Sequence, residues 1–133
     1  MKRLAFPKRV KRPAVWNTKK CDAVFRDLIR QRDKRCVYPA PHDCKGGLQV
    51  SHFFSRRFHA VRWDEENVDL LCASAHWFLE PRKQTSYRSW KWKQLGEERY
   101  LALCERASAP RPSREVRAAF QQRMTKEEAH GKC

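Results

Sequence analysis

The segment from residue 50 to 78, VSHFFSRRFHAVRWDEENVDLLCASAHWF, holds His52, Asn67, Cys72 and His76 with basic residues between them. Phosphodiester hydrolysis needs a base to activate water, a metal to take up charge on the phosphate and leaving oxygen, and cations to position the strand. A histidine on a strand facing a metal ligand on a following helix supplies the first two compactly. His52 falls in a β-prone run and His76 in a helical one. Asn67 lies in the connection, where its amide can bond backbone groups and hold the loop in shape. The rival reading is that these are ordinary polar residues of a small domain.

The elements that must hold these residues can be read from local pattern. In 17–33, Asn17 or Thr18 offers a cap, and Val24, Phe25, Leu28 and Ile29 share one face, so an amphipathic helix is expected. Two prolines and two glycines make 34–47 a loop bracketed by Cys36 and Cys44. LQVSHFF at 48–54 reads as a strand, with Gly46-Gly47 before it suited to a hairpin turn. Residues 55–67 read as a loop, and VDLLCASAHWFL at 68–79 reads as a short helix, capped by Asp64 or Asn67 and stopped by Pro81. Helical pieces are expected at 85–95 and 97–107, broken by Gly96. After the APRPS linker, 114–129 reads as a polar helix with little to bury, ordered only on a partner.

Composition narrows the partners. The chain has 133 residues and a formal net charge of +15, from 30 basic and 15 acidic residues. Such an excess on a small domain points to a polyanion, nucleic acid first, because neutralised phosphates release counterions. Residues 1–17 form a basic arm, expected to be flexible, in which Lys8, Arg9, Lys11 and Arg12 are candidate phosphate contacts. No apolar run approaches the roughly 20 residues needed to cross a bilayer. The N-terminus lacks an apolar core of the secretory type, so a cytoplasmic location is expected, where the six cysteines are metal ligands or buried thiols sooner than disulfides.

Taken together, Ile29-Arg30 with Arg32-Asp33, the pair Cys36 and Cys44, Ser51-His52-Phe53, Arg56, the run Arg62 to Asn67, and CASAH at 72–76 form a longer pattern. It resembles the HNH, or ββα-metal, endonucleases, and within them the phage recombination nucleases of the NinG (Rap) type. The resemblance covers roughly residues 20 to 104. It implies an α+β fold: a small ββα-metal core at 18–108, with a helix before it and helices after it, followed by a polar extension at 109–133. It implies that His52 is the general base, that Asn67 braces the loop, and that His76 binds catalytic Mg²⁺ or Mn²⁺. It implies DNA, branched or nicked, as substrate, in phage recombination or repair. Arg56, Arg57 and Arg62 are candidate DNA contacts. Trp77, Trp90 and Trp92 could flank DNA or simply cover the core.

The chain departs from the family pattern twice. Many HNH enzymes have Asp or His before the base as a metal ligand, whereas this chain offers Ser51, with Asp64 or Glu80 as further oxygen donors. Relatives also clamp strand to helix with zinc on four cysteines. Cys36, Cys44 and Cys72 match three of these, but the fourth position is Ala75, and the first pair is stretched. His42 could replace the missing thiolate; otherwise zinc is lost and the cysteines pack as small hydrophobes. Two other functions stay open: an HNH nicking enzyme associated with phage DNA packaging, and a catalytically weak DNA-binding module on the same scaffold.

Overall fold

The computed structural model describes residues 18–130, with side chains described as far as 123. The chain opens with helix α1 (Thr18–Asp33), runs through a long loop into strand β1 (Leu48–His52), and returns as strand β2 (Val68–Cys72). Helix α2 (Ala73–Leu79) follows β2 directly. Two irregular helical turns, Glu80–Arg82 and Lys83–Tyr87, lead to α3 (Arg88–Leu95), α4 (Glu97–Ala107) and α5 (Arg114–His130). This is a mixed fold of helices around a two-stranded sheet.

The sheet is antiparallel, with Val50 opposite Leu70 and His52 opposite Val68. Its strands are joined across residues 53–67, so Gly46-Gly47 is not the hairpin turn expected of it. Gly46 serves a different contact. Its φ is +81°, and a Cβ there would lie 2.5 Å from the Ala73 side chain, so only glycine lets this loop rest on the start of α2.

The larger correction is at 68–72, expected as helix and found as strand. All five residues of β2 are buried. A short apolar run buried on both sides carries no periodicity, so it fits strand or helix equally well. Packing decides: Val68 and Leu70 meet Val24, Phe25 and Ile29 of α1. Leu71 faces the other way, into a core with Leu79, Tyr87, Trp90, Tyr100 and Leu103. The sheet is therefore the middle of three layers.

The outer edge of β2 is closed by α1 and the loop after it. Asp33 accepts a hydrogen bond from the Leu70 N–H at 3.0 Å, and the Leu70 carbonyl accepts one from the Val37 N–H at 3.0 Å. Arg32 donates to the Val68 and Glu65 carbonyls, both at 2.7 Å. These bonds satisfy strand groups that no third strand pairs.

Behind the sheet lies a buried ion pair. Lys91 Nζ of α3 donates to Asp69 Oδ2 of β2 at 2.7 Å, and each side chain is 1% exposed. Gln94 completes a triangle, accepting from Lys91 at 3.0 Å and donating to Asp69 at 2.8 Å. With every partner bonded, the charges tolerate the low dielectric. Burial still pulls the Lys91 ammonium below its ordinary pKa, against the opposing pull of Asp69.

The C-terminal extension does find an apolar partner within the chain: Phe120 of α5 stacks on Trp63 with ring centroids 5.5 Å apart. The expectation that this helix orders only on another molecule is corrected by that contact.

Candidate metal centre and catalytic groove

Two clusters of reactive side chains flank α2. The first joins the loop after α1 to the β2–α2 junction. Cys36, His42, Cys44 and Cys72 present one donor atom each, and these atoms lie within 4.8 Å of one another. His42 Nε2 sits 3.6 Å from Cys36 Sγ, 3.1 Å from Cys44 Sγ and 3.4 Å from Cys72 Sγ. A tetrahedral ion with metal–ligand bonds of about 2.0 to 2.3 Å spaces its ligands by roughly 3.3 to 3.8 Å. The four residues therefore can hold a metal.

Local structure explains why these four meet. Cys72 is the N-cap of α2, its sulfur accepting from the Ala75 N–H. Ala75 itself is 1% exposed in the core. His42 fills the fourth place from the opposite loop, where its Nδ1–H donates to the Ala40 carbonyl at 2.7 Å. That bond fixes the tautomer and turns the Nε2 lone pair toward the sulfurs, the usual support for a metal-bound imidazole. The Ala40 carbonyl and the Cys36 and Cys72 sulfurs push the His42 pKa up to about 9. Burial opposes ionisation of Cys72, but hydrogen bonds from Ser74, the Ala75 N–H and His42 overcome it and bring the thiol down to about 6. Cys44 is pushed the other way, to about 11, by burial and its sulfur neighbours.

The second cluster lines an open groove of about 560 Å³ between α1, β1 and α2. His52 of β1, His76 of α2 and Glu80 of the turn after α2 all line it. His52 Nε2 is 2.9 Å from the Arg62 carbonyl. A carbonyl only accepts, so Nε2 carries the hydrogen and Nδ1 keeps the lone pair. Burial holds the ring below its ordinary pKa of 6.5, opposed by the Arg62 carbonyl and reinforced by Arg56. The ring is thus neutral at neutral pH.

Asn67 is fully buried and spans the loop between the strands. Its Oδ1 accepts from the Phe54 N–H at 2.8 Å, and its Nδ2 donates to the Phe54 and Val61 carbonyls at 3.0 and 3.1 Å. Its own carbonyl accepts from the Phe53 N–H at 2.9 Å. The chain beyond His52 is held by one amide.

His76 Nε2 and Glu80 Oε2 are 3.7 Å apart, one helical turn from each other. Cis ligands of an octahedral ion with bonds of about 2.0 to 2.2 Å stand roughly 2.8 to 3.1 Å apart, so the two side chains must close on each other to share one small cation, and Glu80 also pairs with Lys83 at 3.2 Å.

Ser51 is corrected. It is 1% exposed and its hydroxyl bonds the Tyr87 hydroxyl at 3.0 Å. It is turned to the face of β1 opposite His52 and is not among the residues that line the groove. Asp64 is likewise occupied elsewhere: it caps the turn Glu65–Asn67 and pairs with Arg106 at 2.8 Å.

Of the expected DNA contacts, Arg56 is exposed and lines the groove, and Arg57 is exposed beside it. Arg62 is engaged inside the protein. It makes a two-pronged pair with Asp22 of α1, at 2.9 and 2.6 Å, and Trp63 donates to the same carboxylate at 2.9 Å. Burial pushes the Asp22 carboxyl up, but these bonds hold it below its usual range. The pair anchors the backbone whose carbonyl orients His52. Lys8, Arg9, Lys11 and Arg12 lie outside the described residues. Trp90 is buried and Trp92 packs on Tyr100, whereas Trp77, beside His76, is 76% exposed.

Sequence reasoning misses Arg26 and Arg30, which line the groove together with Lys83. Arg26 and Arg30 are four residues apart on α1, opposite its apolar stripe, a signal legible once α1 is placed against β1. No helix among the described residues is long and apolar enough to cross a membrane. Comparison with family models, with curated proteins and with solved structures returns no match.

Proposed function

We propose that this chain is a metal-dependent DNA endonuclease of the HNH type, acting on phage or prophage DNA in recombination or repair. One observation carries the reading: a neutral imidazole whose Nδ1 keeps its lone pair lines the same groove as the His76–Glu80 donor pair. His52 accepts a proton from the attacking water at Nδ1, and the Arg62 carbonyl stabilises the resulting imidazolium at Nε2. His76 and Glu80 are the residues suited to Mg²⁺ or Mn²⁺, which supplies charge neutralisation to a bound phosphate. Arg26, Arg30, Arg56 and Lys83 attract and orient the strand. The Cys/His cluster is suited to a structural zinc ion that ties the first loop to α2.

A supercoiled plasmid incubated with the protein tests this. Nicking with Mg²⁺ or Mn²⁺ that stops in EDTA is the expected result. The burial of Ser51 favours a second reading, because it leaves a sparse donor set at the groove: a DNA-binding module that does not cut. Plasmid binding without nicking in either cation would establish that reading instead.

A further inference from the structure

A second concavity adjoins the catalytic groove. It measures about 490 Å³ and its walls include Phe53, Phe54, Phe58 and Tyr100. Phe54 and Phe58 lie 5.3 Å apart at 56°, and Phe58 is 44% exposed. Phe54 is pinned through its backbone by Asn67, the same amide that braces the chain beyond His52. The rim is polar and cationic: Lys83, Gln84 and Arg88. Ser55 and Lys83 line both this basin and the groove, so the two are neighbours across these residues.

An aromatic wall costs free energy in water unless something covers it, and nothing in the core requires Phe58 to face outward. The cationic rim and the net charge of +15 select an anionic partner. A strand whose phosphate lies in the groove carries its neighbouring nucleotide past Ser55 and Lys83 to this basin. A paired base is covered on both faces by its stack, so only a base outside the helix presents a face to Phe54 and Phe58. We propose that the basin of Phe54, Phe58 and Tyr100 receives one extrahelical nucleobase of the strand held at His52. The proposal rests on the endonuclease reading for that strand's position.

The test uses the full chain carrying His52→Ala, which suppresses cleavage during binding. Two duplexes of one sequence are compared, one fully paired and one with a single extrahelical 2-aminopurine. The bulged duplex should bind more tightly, with its fluorescence quenched by stacking. Phe58→Ala should weaken that complex about 5- to 10-fold and leave the paired duplex unaffected, as expected when one base–aromatic stack is removed. Phe58→Trp should restore it. Equal affinity for the two duplexes, an unquenched probe, an equal weakening of both with Phe58→Ala, or no binding to either would overturn the proposal. Plasmid nicking by the unmodified chain separates the two readings. Nicking without a preference for the bulge removes only the basin; preference without nicking removes only the endonuclease.

Discussion

His52 and His42 are both set by a carbonyl, with opposite nitrogens left over. At His52 the Arg62 carbonyl takes Nε2–H, which leaves Nδ1 for the proposed role of base. His52→Ala should therefore lower cleavage by about 10² to 10⁴ while DNA binding in a gel-shift assay stays near wild type. The ring must be neutral to act, and burial holds its pKa below 6.5. The rate should then be independent of this group above pH 6.5 and fall only on the acid side of that value. A pH–rate profile with an acid limb above pH 6.5 would contradict the assignment. At His42 the Ala40 carbonyl takes Nδ1–H instead, leaving Nε2 for the metal centre. Purified protein should contain about one zinc per chain by elemental analysis, and His42→Ala should lower its retention against a chelator. Ala75→Cys should not raise retention, because Ala75 points into the core and is 1% exposed.

The burial of β2 between two helical layers makes its polar residue the critical one. Asp69 is held by Lys91 and Gln94, all out of water. Lys91→Ala strands a carboxylate in the interior and should cost about 3 to 5 kcal/mol in urea unfolding. Replacing both members of the pair with apolar residues, as in Lys91→Met with Asp69→Leu, should recover most of that stability. If the double variant is as unstable as the single one, the pair contributes through more than mutual compensation. At the other face, the Phe120–Trp63 stack tethers α5 to the segment that carries the Arg62 carbonyl. Its geometry makes α5 a support for the segment that orients His52 as well as a cover for α1.

Charge acts over the whole chain. The described residues place Arg26, Arg30, Arg56 and Lys83 around one groove, while residues 1–17 add six more cations. Removing a cation that neutralises one phosphate should flatten the dependence of log affinity on log salt by roughly 0.9 on duplex DNA. Deleting residues 1–17 should thus weaken binding and reduce the slope, and an unchanged slope would show that the arm does not touch DNA. Arg62→Ala should act differently. Its guanidinium is spent on Asp22, so its removal should leave the salt slope unchanged while lowering stability and cleavage together.

Where local pattern was strong, the sequence alone determined the outcome: the apolar stripe of Val24, Phe25, Leu28 and Ile29 makes α1, and Gly96 breaks α3 from α4. By contrast, Ser51 next to His52 reads in the sequence as a candidate metal ligand, and only its burial against the Tyr87 hydroxyl removes it. VDLLC was decided the same way. Buried on both faces, it has no periodicity to read, and only the layers of α1 and α3–α4 make it a strand. The same holds for pairings that join distant residues. Asp22 with Arg62, Asp69 with Lys91, and His42 with Cys72 carry no local signature, because each energy depends on exclusion of water and on a geometry that exists only after the chain has closed on itself.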